Sequence, residues 1–378
     1  VFYNHADLKP AEMSVIVNIA TGVPENKFSQ AILAEFMGEA LQFDETEKKR
    51  LRLLYAKSGI ETRYSVIRDY GCSIEERTFF PKTRNLVPFP DLEQRMAVFN
   101  RTAPGLCLKV IEECLKNKID KSQVTHLITV SCTGMAAPGL DIEIVQQMQL
   151  SENINRTSVN FMGCYAAIHA LKQADYICKS DPDAIVLVVC VELCSIHFQK
   201  INDPDNITAN LLFADGAAAA LILPDELAKK KNMHGFAMQR FYSHIELNGK
   251  SDMAWQLSSH GFLMTLSAYI PQLLESGIKQ LFDKAIEKLG ITQHDITHWA
   301  IHPGGKKILE VIQEQLSLSK HDLESSYKVL NDYGNMSSST VLFVLKDIMD
   351  REPKAGDKAF SVAFGPGLTM ESLILEHV

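Results

Sequence analysis

Val159-Asn160-Phe161-Met162-Gly163-Cys164-Tyr165-Ala166-Ala167 reads as a strand, a tight turn and the start of a helix. Val159 and Phe161 suit a strand. Gly163 lets the backbone turn sharply, and Ala166, Ala167 and Ala170 let the following helix bury itself against neighbours. Cys164 falls at the turn, near the helix N-terminus, where the dipole and unpaired N–H groups favour a thiolate. A buried cysteine is more often a small apolar filler. The stretch alone therefore supplies a candidate nucleophile, and the rest of the chain must supply its base and an oxyanion site.

The totals narrow the field. The chain has 378 residues, 46% hydrophobic and 22% charged, with a net charge of −8. These values fit a globular protein of two domains or one duplicated domain. No basic stripe points to nucleic acid, and no polybasic tail points to a membrane surface. The eight cysteines are scattered through apolar stretches, and nothing at the start reads as a signal peptide. Reduced thiols and a cytoplasmic location are expected. The longest apolar runs are too short to span a bilayer.

Read in order, 14–20 is a buried strand, 29–42 a helix capped by Ser29, and 44–56 a second helix carrying Lys48, Lys49, Arg50 and Arg52, with Lys57 just beyond. That basic face is either solvated or a docking site for a phosphorylated carrier such as coenzyme A. A helix over 92–116 is expected to bend or break at Pro104-Gly105. Residues 201–210 read as a polar loop, 262–289 as mostly helix, and 329–332 as a strand end. Lys229-Lys230-Lys231-Asn232 marks the boundary between halves 1–228 and 229–378.

The halves match. Ile128–Gly134 parallels Trp299–Gly305, so Ser131 corresponds to His302, and 33 residues on from each lie Cys164 and Asn335. Each of these follows a Gly at an expected strand-to-helix turn. Further on, Phe213-Ala214-Asp215-Gly216 parallels Phe364-Gly365-Pro366-Gly367. A β/α unit present twice implies pseudo-twofold packing, which brings Cys164, His302 and Asn335 together. His302 can take the thiol proton and form a thiolate–imidazolium pair. Asn335 adds a neutral amide donor for charge developing on a carbonyl oxygen, where an acidic group would repel an enolate. Each alone has a bland reading, a structural His or a helix-capping Asn; the matched turns make coincidence less favoured. Cys190, Glu192, Cys194 and His197 are closely spaced, but no second Cys-rich pair completes a four-ligand metal site, so no metal is expected.

These motifs resemble the chalcone-synthase-like family of type III polyketide synthases. The resemblance rests on Met162-Gly163-Cys164, Ile301-His302-Pro303-Gly304-Gly305, Tyr333-Gly334-Asn335-Met336-Ser337-Ser338 and Phe364-Gly365-Pro366-Gly367-Leu368-Thr369, and runs from near Ile19 to the end. It implies an α/β thiolase-like fold of two αβαβα halves forming a five-layered core, a homodimer, and no cofactor beyond coenzyme A thioester substrates. It implies that Cys164 takes an acyl group from a starter acyl-CoA, and that His302 and Asn335 stabilise the enolate from decarboxylated malonyl-CoA. Repeated two-carbon extension and cyclisation to a pyrone, resorcinol or phloroglucinol follow. Phe213 matches one gatekeeper phenylalanine and Lys57 a lysine that pairs with coenzyme A phosphates. Gly365 and Pro366 stand in the closing loop by the pocket.

Departures from the plant pattern fall around the pocket. Met264 stands at the second gatekeeper position, and a thioether fills or vacates space more readily than a ring. Leu53 lacks the plant-like basic residue, leaving Arg50 or Arg52 for the coenzyme A clamp. Cys132, Cys194 and His197 replace threonines, and Ala137 replaces a methionine that reaches into the partner's cavity. Cys132, Glu192 and Ser337 are candidates for a network directing cyclisation. These changes resemble bacterial members, some of which accept fatty acyl starters. The rivals are a single-round β-ketoacyl synthase of fatty-acid initiation, a non-catalytic acyl-binding protein of the same fold, and a papain-like thiol hydrolase.

Overall fold

The computed structural model describes residues 13–250, 252–267 and 270–378. Residues 1–12, where the expected first half begins, lie outside the described residues. The first half contains β1 (Ser14–Gly22), a ribbon of β2 (Asn26–Ser29) and β3 (Thr62–Ser65), and then β4 (His126–Ser131), β5 (Asn155–Asn160), β6 (Val186–Leu193) and β7 (Asp215–Pro224). The second contains β8 (Phe236–Ile245), a hairpin of β9 (Met253–Ser258) and β10 (Gly261–Leu266), and then β11 (Ile296–Ile301), β12 (Lys358–Gly365) and β13 (Thr369–His377). The helices are α1 (Gln30–Ala40), α2 (Glu45–Ala56), α3 (Leu92–Leu115), α4 (Leu140–Met148), α5 (Ala166–Ser180), α6 (Pro204–Leu212), α7 (Asp225–Lys230), α8 (Ile270–Glu287), α9 (Lys306–Gln315), α10 (Glu324–Tyr333) and α11 (Thr340–Met349).

The main sheet runs β11-β12-β13-β8-β1-β7-β6-β4-β5. Its two sides repeat one pattern. In the first, β4 lies parallel to β6, β6 antiparallel to β7, and β7 antiparallel to β1. In the second, β11 lies parallel to β12, β12 antiparallel to β13, and β13 antiparallel to β8. The sides join where Val15 and Ile16 pair with Ala237 and Phe236. Among the described residues one strand of the sheet has no counterpart: β5 pairs parallel with β4, whereas the matching stretch of the second side is α10.

Small side chains set the layering. In β7, Ala217 and Ala219 face one apolar core and Ala218 and Ala220 the other, as the two-residue strand period requires. The first face takes α3. The second takes α5, whose Ala166, Ala167, Ala170 and Ala174 are buried, together with α11, which touches β1, β7, β11 and β12. α8 covers β8 and β13 from outside. Helix, one side of the sheet, the central helices α5 and α11, the other side of the sheet and helix make the five layers of a thiolase-like fold.

Several local expectations are corrected. Residues 204–212 are helical because Asp203 caps the N-terminus, accepting from the N–H groups of Asp205 and Asn206, and Pro204 sits at the first helical position, where its missing N–H costs nothing. Residues 261–266 belong to a hairpin, paired from Gly261↔Ser258 to Leu266↔Met253; of the helix expected over 262–289, residues 268 and 269 lie outside the described residues. α3 runs unbroken through Pro104. Residues 329–332 lie within α10, so Asn335 follows a helix, unlike Cys164. Phe364-Gly365 ends β12 while Asp215 begins β7, so the expected match between these two stretches is displaced by one strand end. No helix among the described residues is long and apolar enough to cross a membrane.

Candidate active site

Cys164 stands two residues before α5, on a turn with left-handed backbone at Phe161 (φ 62°) and Gly163 (φ +85°). A side chain at 163 would also place its Cβ 2.3 Å from Pro366 Cδ, so only glycine fits. Cys164 is buried, and its Sγ lies 4.0 Å from Asn335 Oδ1.

His302 follows β11 directly, and its N–H donates to Val362 O at 2.8 Å. The ring is buried, yet neither Nδ1 nor Nε2 has a hydrogen-bond partner among the described residues. Gly304 leaves it room: a Cβ there would lie 3.7 Å from His302 Nε2 and 2.9 Å from Ile308 Cδ1. Asn335 is held firmly. Its Oδ1 accepts from Ser337 N at 2.8 Å, and its Nδ2 donates to Gly304 O at 3.3 Å. The second amide hydrogen has no partner among the described residues. The backbone of Asn335 forms a parallel bridge with Phe213: Asn335 N donates to Leu212 O and Ala214 N to Asn335 O, both at 2.9 Å.

The three side chains line one cavity with Cys132, Thr133, Cys194, Phe213, Met264, Ser337 and Pro366. A second cavity shares Cys194, Phe213, Trp255 and Met264 with it and is walled by His197 and by rings of the first half such as Phe36, Tyr55 and Tyr70. Burial pushes the Cys164 thiol up to about 12 and the His302 imidazolium down to about 3. Both directions oppose the expected thiolate–imidazolium pair. Desolvation favours the thiol and the neutral imidazole, and a neutral imidazole keeps one ring N–H as a donor.

Other predicted residues divide. Glu192 lies behind the wall: Oε2 accepts from Cys132 N and Thr133 Oγ1 at 2.9 Å each, and Oε1 accepts from Ser338 Oγ at 2.5 Å. Desolvation raises its carboxyl to about 7. Gly365 packs on the Tyr165 ring rather than on the cavity. His197 is fully engaged, with Nε2 donating to Thr133 O at 2.7 Å and Nδ1 accepting from Phe262 N at 3.1 Å. Cys190, Glu192, Cys194 and His197 do not converge on a metal; among the described residues no group of three or more such side chains is placed to hold one. Lys57 and Arg50 are exposed, but Arg52 is tied to Glu35 at 2.5 Å. The Lys306 side chain packs beside Gly59, two residues from Lys57. Sequence reasoning missed Trp255, whose Nε1 donates to Cys132 O at 2.7 Å, and Lys306. A Lys-Lys pair opening a helix after Gly304-Gly305 was the available signal for the second; the hairpin carrying the first gave none.

Comparison with known proteins finds matches along nearly the whole chain. The family model for the N-terminal domain of chalcone and stilbene synthases matches residues 6–226, and that for their C-terminal domain residues 235–378. The chain is 30% identical over 372 residues to an alpha-pyrone synthesis polyketide synthase-like protein, Pks18, of Mycobacterium tuberculosis, covering 98% of this chain and 92% of that one. It is 29% identical to type III polyketide synthase A of Arabidopsis thaliana, over 97% of this chain and 94% of that one. The crystal structure of PKS-I from the brown alga Ectocarpus siliculosus superposes with a TM-score of 0.90 at 27% identity, covering 98% of this chain and all of that one.

Proposed function

The chain belongs to the chalcone and stilbene synthase family and is a type III polyketide synthase, a malonyl-CoA-condensing acyltransferase, and on that premise we propose how its own residues divide the work. Cys164 Sγ attacks the starter thioester carbonyl while its proton passes to His302, and coenzyme A leaves with that proton. Malonyl-CoA then loses CO₂. The electron pair left behind forms an enolate whose oxygen is held by the neutral His302 N–H and the free Asn335 amide hydrogen. The enolate carbon attacks the Cys164 thioester, and the thiolate departs. These steps need only the thioesters as reactants and no bound cofactor.

The observation that carries this reading is the unpartnered His302 ring beside Cys164 and Asn335 in one buried cavity. A buried polar group without a partner costs on the order of 1–3 kcal/mol, and an incoming oxyanion supplies the partner. Deep burial and the Phe213 ring help desolvate the malonyl carboxylate before it leaves. Lys57, Arg50 and Lys306 would hold the coenzyme A phosphates, with Arg52 excluded by Glu35.

The starter is a fatty acyl group, with room supplied by the two cavities that share Met264, and ring closure gives an α-pyrone; the name of the mycobacterial relative supports that product type. A homodimer is supported by the open edge of β5, whose residues are mostly exposed, and by Met135, 44% exposed beside it; sedimentation would test it. The division at 228/229 is supported by the repeated strand order, and proteolysis confined to 229–233 would bear it out.

Product mass spectrometry with malonyl-CoA and acetyl, aromatic and C6–C16 acyl-CoA starters tests the whole reading. Products several two-carbon units longer than the starter, absent with Cys164→Ala, are expected. A single extension would move the chain to the β-ketoacyl synthase reading. Bound acyl-CoA without any product would favour the binding-protein reading.

A further inference from the structure

The turn that carries Cys164 is held by another cysteine. Gly163 N–H donates to Cys132 Sγ at 3.0 Å, and Cys132 Sγ lies 3.8 Å from Gly163 O. One thiol thus serves both polar groups of the residue that precedes the nucleophile. Gly163 and Phe161 both hold left-handed backbone. Such turns persist only where their surroundings over-determine them. Cys132 is itself fixed at both ends: its N–H donates to Glu192 Oε2 at 2.9 Å, and its carbonyl accepts from Trp255 Nε1 at 2.7 Å. Trp255 lies on β9 and faces both cavities.

From this arrangement we infer that Cys132 is a positioning residue for acyl loading: its sulfur clamps Gly163 so that Cys164 faces His302 and Asn335, and Trp255 ties that clamp to the cavity wall. The inference rests on Cys164 being the acylated residue. Cys132 exchanges no proton and forms no bond with substrate. Its part is to fix where the Cys164 Sγ lies, and a small displacement of a reacting atom is enough to cost a large factor in rate.

Single-turnover acylation of Cys164 by an acyl-CoA starter, followed by intact-protein mass spectrometry, tests this in the full chain. Cys132→Ala should slow loading by about 10–100-fold while the concentration of starter giving half-maximal rate changes less than about twofold. Cys132→Ser, which keeps an acceptor and a donor for Gly163, should restore most of the rate. Trp255→Phe removes only the indole N–H and should slow loading by a smaller factor in the same sense; it keeps the test open if Cys132→Ala does not fold. Loading at the wild-type rate in Cys132→Ala, or in Trp255→Phe where the alanine variant fails to fold, would overturn the clamp, as would Cys132→Ser no faster than the alanine variant. If Cys164→Ala still becomes acylated, the assignment of the nucleophile fails instead, and the two outcomes are distinct.

Discussion

Two strand ends occupy the same place in the two halves and are put to opposite uses. After β4, the segment Ser131–Gly134 has its polar groups tied within the protein. Cys132 N and Thr133 Oγ1 both donate to Glu192, Thr133 Oγ1 also accepts from Leu193 N at 2.9 Å, and Thr133 O accepts a hydrogen bond from His197 Nε2. After β11, His302 is equally buried and its ring has no hydrogen-bond partner among the described residues. Burial lowers both His197 and His302 to about 3, so desolvation alone does not separate them. What separates them is satisfaction. The first half completes its hydrogen bonds and becomes a scaffold; the second leaves donors open for the substrate.

The sharpest way to break this contrast is at the open end. His302→Ala should lower polyketide formation by about 10²–10³-fold, read as product per minute at saturating malonyl-CoA, with the unfolding midpoint unchanged or raised because an unpaired buried group is gone. A fall in stability with activity kept would reverse the assignment. Asn335→Asp places a carboxylate where negative charge develops. A loss of about 100-fold in malonyl-CoA decarboxylation is expected, and wild-type turnover would remove Asn335 from the oxyanion site.

The tied end should answer in stability. Glu192 is raised from 4.5 to about 7, so the folded protein holds this proton more tightly than the unfolded chain. Stability from this group therefore falls as pH rises from about 4.5 through 7 and levels above that. At about 1.4 kcal/mol for each pH unit the loss is on the order of 3 kcal/mol. Glu192→Gln should flatten this dependence in denaturant titrations compared with wild type, and parallel curves would show that Glu192 is already ionised. Smallest is Thr133→Val, which should cost about 1–3 kcal/mol of stability with turnover near wild type. A large loss of turnover there would make the scaffold end a participant.

The sequence brought Cys164, His302 and Asn335 to one cavity because each stands on a short motif whose backbone demands are local: a glycine turn before Cys164, a strand end before His302 and a Gly-Asn pair. It carried β7 and α5 because runs of alanine announce close packing. It misled at 204–212, where Asp-Pro-Asp-Asn reads as a turn until its capping role is seen. It misled again at 324–333, where the second half abandons the repeat and replaces a strand with α10. The β9–β10 hairpin left no mark because it is held by groups far along the chain, the Cys132 carbonyl and the His197 ring, rather than by a periodic face of its own. Of the wall residues, Cys132 and Cys194 lay where expected, whereas Glu192 and Gly365 fell behind the surface, since sequence places a residue on a strand but not its depth.

Phe213 and Asn335, both in the cavity wall, share one rung of backbone hydrogen bonds. Selection acting on one of them therefore drags the other. A lineage that changed starters by reshaping position 213 would disturb the step common to every product, whereas Met264 and Cys194 border the same space without sitting on that rung. Diversification of products has its open road through those two walls, and the rung keeps the underlying chemistry constant while they drift.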